Sequence, residues 1–246
     1  MLNAIVIVAR KELLDSWRDR RAMLSAALYC LMGPAVVWMV SLTVHNGQLV
    51  LSAMMAVFTL VSAFSGGMNV AMDSIAGERE RRSLVPLLMH PVTRRHLLAG
   101  KWLAVALFAA AGLAINLAGF ALIVHRVPPP SLALPLIPLA LLAAALELWI
   151  STLCRGIKEA HTYLSMLVFL PMGIGMFMVF SPLAAHGWWT FLPVAGQQLQ
   201  LAATMGGTPP DAAAMFLLGL TTATAAGLAL LAAANRLECD DVVYGG

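Results

Sequence analysis

Residues 73–101 read DSIAGERERRSLVPLLMHPVTRRHLLAGK. Glu78, Arg79, Glu80, Arg81, Arg82, Arg94, Arg95 and Lys101 crowd into this stretch. On either side lies a run too apolar to be stable in water, residues 49–72 before it and 102–124 after it. A charge at the centre of a bilayer costs about 2.5–3.5 kcal/mol on insertion scales. A segment this charged therefore belongs outside hydrocarbon, and its two neighbours belong inside. The stretch is a polar island between two membrane spans.

Working outward, the whole composition has the same character. The chain is 61% hydrophobic and 11% charged, with a mean hydropathy of +0.85; soluble domains run roughly 45–50% apolar and 25% charged. A hydrocarbon core of about 30 Å needs about 20 apolar residues per helical span. Six such runs fit, at residues 22–44, 49–72, 102–124, 132–154, 162–185 and 211–234. The expected fold class is an all-α membrane protein, one domain over residues 1–246, with six transmembrane helices.

All of the 15 basic residues except Arg126 fall on one side of these spans. That bias predicts a multi-pass protein with both termini cytoplasmic. It also accounts for the net charge of +3 without nucleic acid. Residues 1–21 lead in, and a helix over residues 3–20 would set Val6, Ile7, Leu13, Leu14 and Trp17 on one side and Lys11, Glu12, Asp15, Ser16, Arg18 and Asp19 on the other. Arg10 intrudes on the apolar arc, where its stem can snorkel. The pattern predicts an amphipathic helix on the membrane surface, marked by Arg10, Lys11, Leu14 and Trp17. On the opposite side, residues 186–210 are too polar to span and too apolar for a free loop. Trp188, Trp189, Pro193 and Gly196 predict short or re-entrant helices there.

Several chemistries are excluded. No glycine-rich phosphate loop ending in Gly-Lys-Ser/Thr occurs; Ala99-Gly100-Lys101-Trp102 lacks both the upstream glycine and the hydroxyl. No zinc-protease helix, nucleophile elbow or catalytic carboxylate pair is present, and the six histidines and three cysteines are scattered. No catalytic residue and no metal site is expected. Polar residues within or beside the spans are the remaining candidates: Asn69, Asp73, Asn116 and Glu147. Glu147, in LLAAALELWI, has no charged neighbour in sequence, so it faces a cavity, a partner helix or a pore. Holding helices together and lining a path both remain open for it.

The run GERERRSLVPLLMHPVTRRHLLAGKWLA resembles the cytoplasmic segment of type-2 ABC exporter permeases, most closely the NatB-like sodium-efflux group. Gly77-Glu78-Arg79-Glu80, Leu84, Leu87-Leu88, Pro91-Val92 and Gly100-Lys101 carry the match. Ala9–Arg21, Lys158-Glu159-Ala160 and Pro193 with Gly196-Gln197 are similar to further family segments in the same order. The chain departs from the group after the first span, where four residues, His45–Gln48, replace an extracellular insertion that NatB-like members often carry.

The resemblance implies a permease subunit in the plasma (inner) membrane, paired with a second copy of itself. A separate ATPase subunit would bind ATP and Mg, this chain binding no cofactor of its own. Residues 78–90 would form a coupling helix against that ATPase, through Glu78, Arg79, Glu80, Arg81, Arg82, Ser83, Leu84, Leu87, Leu88 and Pro91, with Ser83 as its cap. The path would lie between subunits, lined by spans one, two and five. Sodium, a small hydrophobic molecule and a peptide-like cargo are all compatible with it. An ion-gradient-driven transporter and a non-transporting membrane scaffold are the rival functions.

Overall fold

The computed structural model describes residues 2–43, 47–83, 93–125, 130–180, 187–208 and 211–238. Every regular element among them is helical. In chain order these are α1 (Leu2–Arg18), α2 (Arg20–Thr43), α3 (Gln48–Glu80), α4 (Arg94–Ile123), α5 (Ala133–Leu153), α6 (Ile157–Phe180), α7 (Ala195–Met205) and α8 (Ala212–Glu238). Six of them, α2 to α6 and α8, are long and apolar enough to cross a membrane.

α3 is the axis. It packs against α2, α4, α5, α6 and α7, while α8 lies on the far side of α5 and α1 runs along α4. Close approach of α3 and α4 rests on two glycines. A methyl at Gly66 would stand 2.9 Å from the Phe108 carbonyl oxygen and 3.1 Å from the Gly112 Cα. Small residues are what let helices cross this tightly where lipid supplies no hydrophobic force between them.

Local chemistry sets the ends. Asp19 breaks α1 from α2, its Oδ1 accepting from the backbone N–H groups of Arg21 and Ala22 at 3.1 and 3.2 Å, an N-cap. α3 runs past residue 72, the end its hydropathy predicts, through a π-helical turn at Met72–Gly77 and on to Glu80. Arg82, at φ 56°, then lets the N–H of Ser83 reach the Glu78 carbonyl and its own N–H reach Arg79, a Schellman ending.

The island is therefore divided: residues 73–80 belong to α3 and 94–101 to α4. Residues 84–92, with Leu84, Leu87, Leu88 and Pro91, lie outside the described residues. Glu78–Glu80, expected to open a coupling helix, close α3 instead, and Ser83, expected as that helix's cap, sits just past the end of α3, its hydroxyl donating to the Glu78 carbonyl at 3.2 Å. α6 begins at Ile157 rather than 162. The segment after it holds a 3-10 turn, Gly187–Phe191, and α7, whose Gln197 and Gln198 are buried.

Candidate functional site

Three consecutive residues at the end of α3 reach in three directions. Glu78 turns toward α1 and α4: its carboxylate lies 3.3 Å from Lys11 Nζ and 2.9 Å from Lys101 Nζ. Arg79 turns toward the end of α5, donating to the carbonyls of Cys154 at 2.5 Å and Thr152 at 3.2 Å. Glu80 turns toward the start of α6, accepting from the Ile157 N–H at 2.7 Å. The last carbonyls of a helix and its first N–H groups have no partners within the helix. A cation at the end of α5 and an anion at the start of α6 satisfy some of both and complement the two helix dipoles.

Glycines make room for this. A methyl at Gly156 would stand 2.9 Å from Glu80 Oε2. Across Gly77, Asp73 pairs with Arg81 on the exposed side of the same helix; a methyl there would stand 2.5 Å from the Asp73 carboxylate.

Lys101 is the centre of the site. It is 1% exposed, and its ammonium meets Glu12 at 2.8 Å, Glu78 at 2.9 Å and the Ser74 carbonyl at 2.7 Å. The π turn presents that carbonyl, and the N–H of Ala76 in the same turn goes to Ser151 Oγ at 3.2 Å. π turns leave backbone groups free of the regular ladder, and here two of them fasten α3 to α4 and α5. Lys11 reaches the same two carboxylates, 3.2 Å from Glu12 and 3.3 Å from Glu78, and lies 3.8 Å from Asp15, so each buried carboxylate meets two cations. Burial pulls the Lys11 ammonium down, but Glu12 and Glu78 outweigh it and leave its pKa above the ordinary 10.5. A raised pKa means that this tie is fully present below 10.5 and fails only as the pH rises beyond it. At the α5–α6 turn, burial pushes the Cys154 thiol up to about 11, Glu159 adding to the effect and Arg79 opposing it.

The expectation that the island as a whole stands in water is corrected at Glu78 and Lys101, which are buried, while Arg81 and Arg82 are exposed. α1 carries a second surprise. Val6, Ile7, Leu14 and Trp17 are exposed, whereas Ala9 and Glu12 are buried against the foot of α4, where Gly100 gives Val8 and Ile5 room. Much of its apolar arc faces away from the protein, while Glu12 turns in beside Ile5, Val8 and Ala9, and Lys11, Asp15, Arg18 and Asp19 stay exposed. Arg10 is exposed; Lys11 is half exposed.

The four polar span residues separate into three surroundings. Asn69 and Asp73 line one pocket of about 270 Å³ with Asp15, Asp19 and Ala22, between α3 and the α1–α2 junction. Asn69 donates to the Ala22 carbonyl and Ser25 Oγ, each at 3.2 Å.

Asn116 is elsewhere and fully buried. It donates to the Cys30 carbonyl at 3.0 Å and accepts from Thr59 Oγ1 at 3.2 Å. The Cys30 carbonyl would normally accept from residue 34, but Pro34 has no N–H. Asn116 thus fills a hydrogen bond that proline removed, and ties α2, α3 and α4 together.

Glu147 is 1% exposed, beside Gly67 of α3, where a methyl would stand 2.7 Å from its Oε2. Neither carboxyl oxygen has a hydrogen-bond partner among the described residues.

Sequence reading missed Glu12, Ser151 and Gly156. No signal was available for the first: Glu12 sits among Arg10, Lys11 and Asp15, and nothing in the sequence singles it out.

Fold and site together define a multi-pass helical membrane protein whose charged end is drawn into one knot around the close of α3. The chain belongs to the ABC-2 family of transporter proteins, whose description matches residues 6–227. It is 36% identical over 152 residues to the ABC transporter permease protein NatB of Bacillus subtilis strain 168, a match covering 55% of this chain and 39% of that protein. It is 30% identical over 126 residues to the probable ABC transporter permease protein NosY of Pseudomonas aeruginosa, covering 50% and 46%. With the NosY protein of Stutzerimonas stutzeri it shares 27% over 107 residues, covering 41% and 38%. The matched region spans less than half the length of each of these relatives.

Proposed function

We propose that this chain is the membrane-spanning subunit of an ATP-driven exporter, working as a pair of copies in the plasma (inner) membrane with both termini cytoplasmic. A separate ATPase, which binds ATP and Mg, docks on the segment between α3 and α4. The observation that carries this reading is the Glu78-Arg79-Glu80 knot. Any displacement of the chain just beyond Arg82 pulls at once on α1 through Glu78, on α5 through Arg79 and on α6 through Glu80. Membership of a transporter family and the lack of a phosphate loop in the sequence support an external motor.

In this reading Arg81, Arg82, Ser83, Leu84, Leu87, Leu88 and Pro91 meet the ATPase. The pocket holding Asn69 and Asp73 is the inner mouth of the path, beside α2, α3 and α6. α1 lies in the membrane interface with Leu14 and Trp17 toward lipid. The cargo is a cation such as sodium or a small apolar or peptide-like molecule; the NatB-like and NosY resemblances leave that choice open.

The test is co-purification. Leu84→Asp with Leu87→Asp should abolish recovery of the ATPase with the chain while membrane insertion is unchanged; undiminished recovery would refute the docking assignment. One observation favours an ion-gradient-driven rival, the unpartnered Glu147 carboxyl. Transport that survives loss of the ATPase and stops when the ion gradient is collapsed would establish that rival.

A further inference from the structure

Where α1 meets α4, a groove of about 300 Å³ is lined by Leu13, Leu14, Trp17, Leu107, Phe108 and Ala111. Its walls are apolar, and the exposed faces of Leu14 and Trp17 continue it onto the surface. On α1, Arg10 stands one turn before Leu14 and Arg18 one turn after it, so both share the stripe that Leu14 occupies. Both are exposed, and neither forms an ion pair among the described residues. Two turns of α1 therefore present cation, apolar groove and cation in succession.

Position in the bundle narrows the occupant. α1 climbs along α4, with Ile5 and Val8 at Gly100 and Trp17 at the level of Leu107 and Ala111. The groove thus opens beside the start of the apolar length of α4, with Arg10 on its charged side. A soluble anion would match the arginines and leave the groove empty. A neutral lipid would fill the groove and leave the arginines unmatched. An anionic glycerophospholipid satisfies both, with a phosphate at the cations and an acyl chain along the small side chain of Ala111. Basic residues at a membrane surface are each worth about 1 kcal/mol toward anionic lipid.

We propose that the α1–α4 groove is a binding site for one anionic glycerophospholipid of the leaflet at the charged end, held by Arg10 and Arg18. The proposal rests on the membrane-spanning reading of α4 but not on ATPase docking, so the two fail separately.

The full chain is reconstituted in phosphatidylcholine vesicles carrying a trace of either phosphatidylglycerol or phosphatidylcholine brominated on its acyl chains. The contribution of Trp17 is taken as the difference between wild type and Trp17→Phe. Brominated phosphatidylglycerol should quench Trp17 at lower mole fraction than brominated phosphatidylcholine, by about five-fold for each arginine engaged. Arg10→Gln with Arg18→Gln should erase that preference, and Arg10→Lys with Arg18→Lys should keep it, which separates loss of charge from loss of fold. Equal quenching by the two lipids in wild type, or a preference that persists in the double glutamine variant, would overturn the site.

Discussion

Lys101 lies at 1% exposure between two carboxylates and a carbonyl oxygen. Removing a buried charge from its partners is costly because the survivors lose solvation and gain nothing in return. Lys101→Met leaves Glu12 and Glu78 with only the half-exposed Lys11 between them, and should destabilise the purified protein by about 3–5 kcal/mol in chemical unfolding. Adding Glu12→Gln and Glu78→Gln should recover most of the loss, since no buried charge is then left and Lys11, half exposed, keeps Asp15 at 3.8 Å. If the triple variant is as unstable as the single one, ion pairing is not what Lys101 supplies.

Between elements, two joints are made by single side chains. Asn116 supplies the hydrogen bond that Pro34 withholds from the Cys30 carbonyl. A buried acceptor left unsatisfied costs about 1–3 kcal/mol, so Asn116→Leu should destabilise by that amount. In Pro34→Ala, whose new N–H can satisfy Cys30, the same change should cost much less. A thermodynamic cycle over the two positions measures the coupling, and additive effects would dismiss the repair. Arg79 makes the other joint. Arg79→Gln frees the Thr152 and Cys154 carbonyls and loosens the α5–α6 turn, so trypsin should cut after Arg155 or Lys158 several-fold faster in the variant, with the spans still protected. An unchanged cleavage rate would show that the turn is held by other contacts.

At the scale of the molecule, the crossing of α3 and α4 at Gly66 and Gly112 decides whether the bundle can close. Gly112→Val should separate these helices, since even a methyl there would stand 2.9 Å from the Gly66 Cα and 3.0 Å from the Cys30 sulfur. The yield of folded, monodisperse protein in detergent should fall sharply, while Gly227→Val on α8, where nothing lies within 4 Å, should leave it unchanged. Equal yields would remove the crossing from its central place.

The number of long apolar helices, their approximate positions and the family were all legible in the chain. Lipid imposes a length and a polarity on every span, and both are local properties that hydropathy records directly. The run Gly77–Glu80 stood out for the same reason, as charge beside apolar sequence.

Where those charges point was decided only in three dimensions. Glu12, Glu78 and Lys101 come from three helices, and no spacing along the chain announces that they meet. A buried charge is tolerated when its partners arrive through packing, and packing is not written at any one position. The same holds for Asn116: sequence shows a polar residue in a span and a proline in another, and only the crossing of α2 and α4 makes one the remedy for the other.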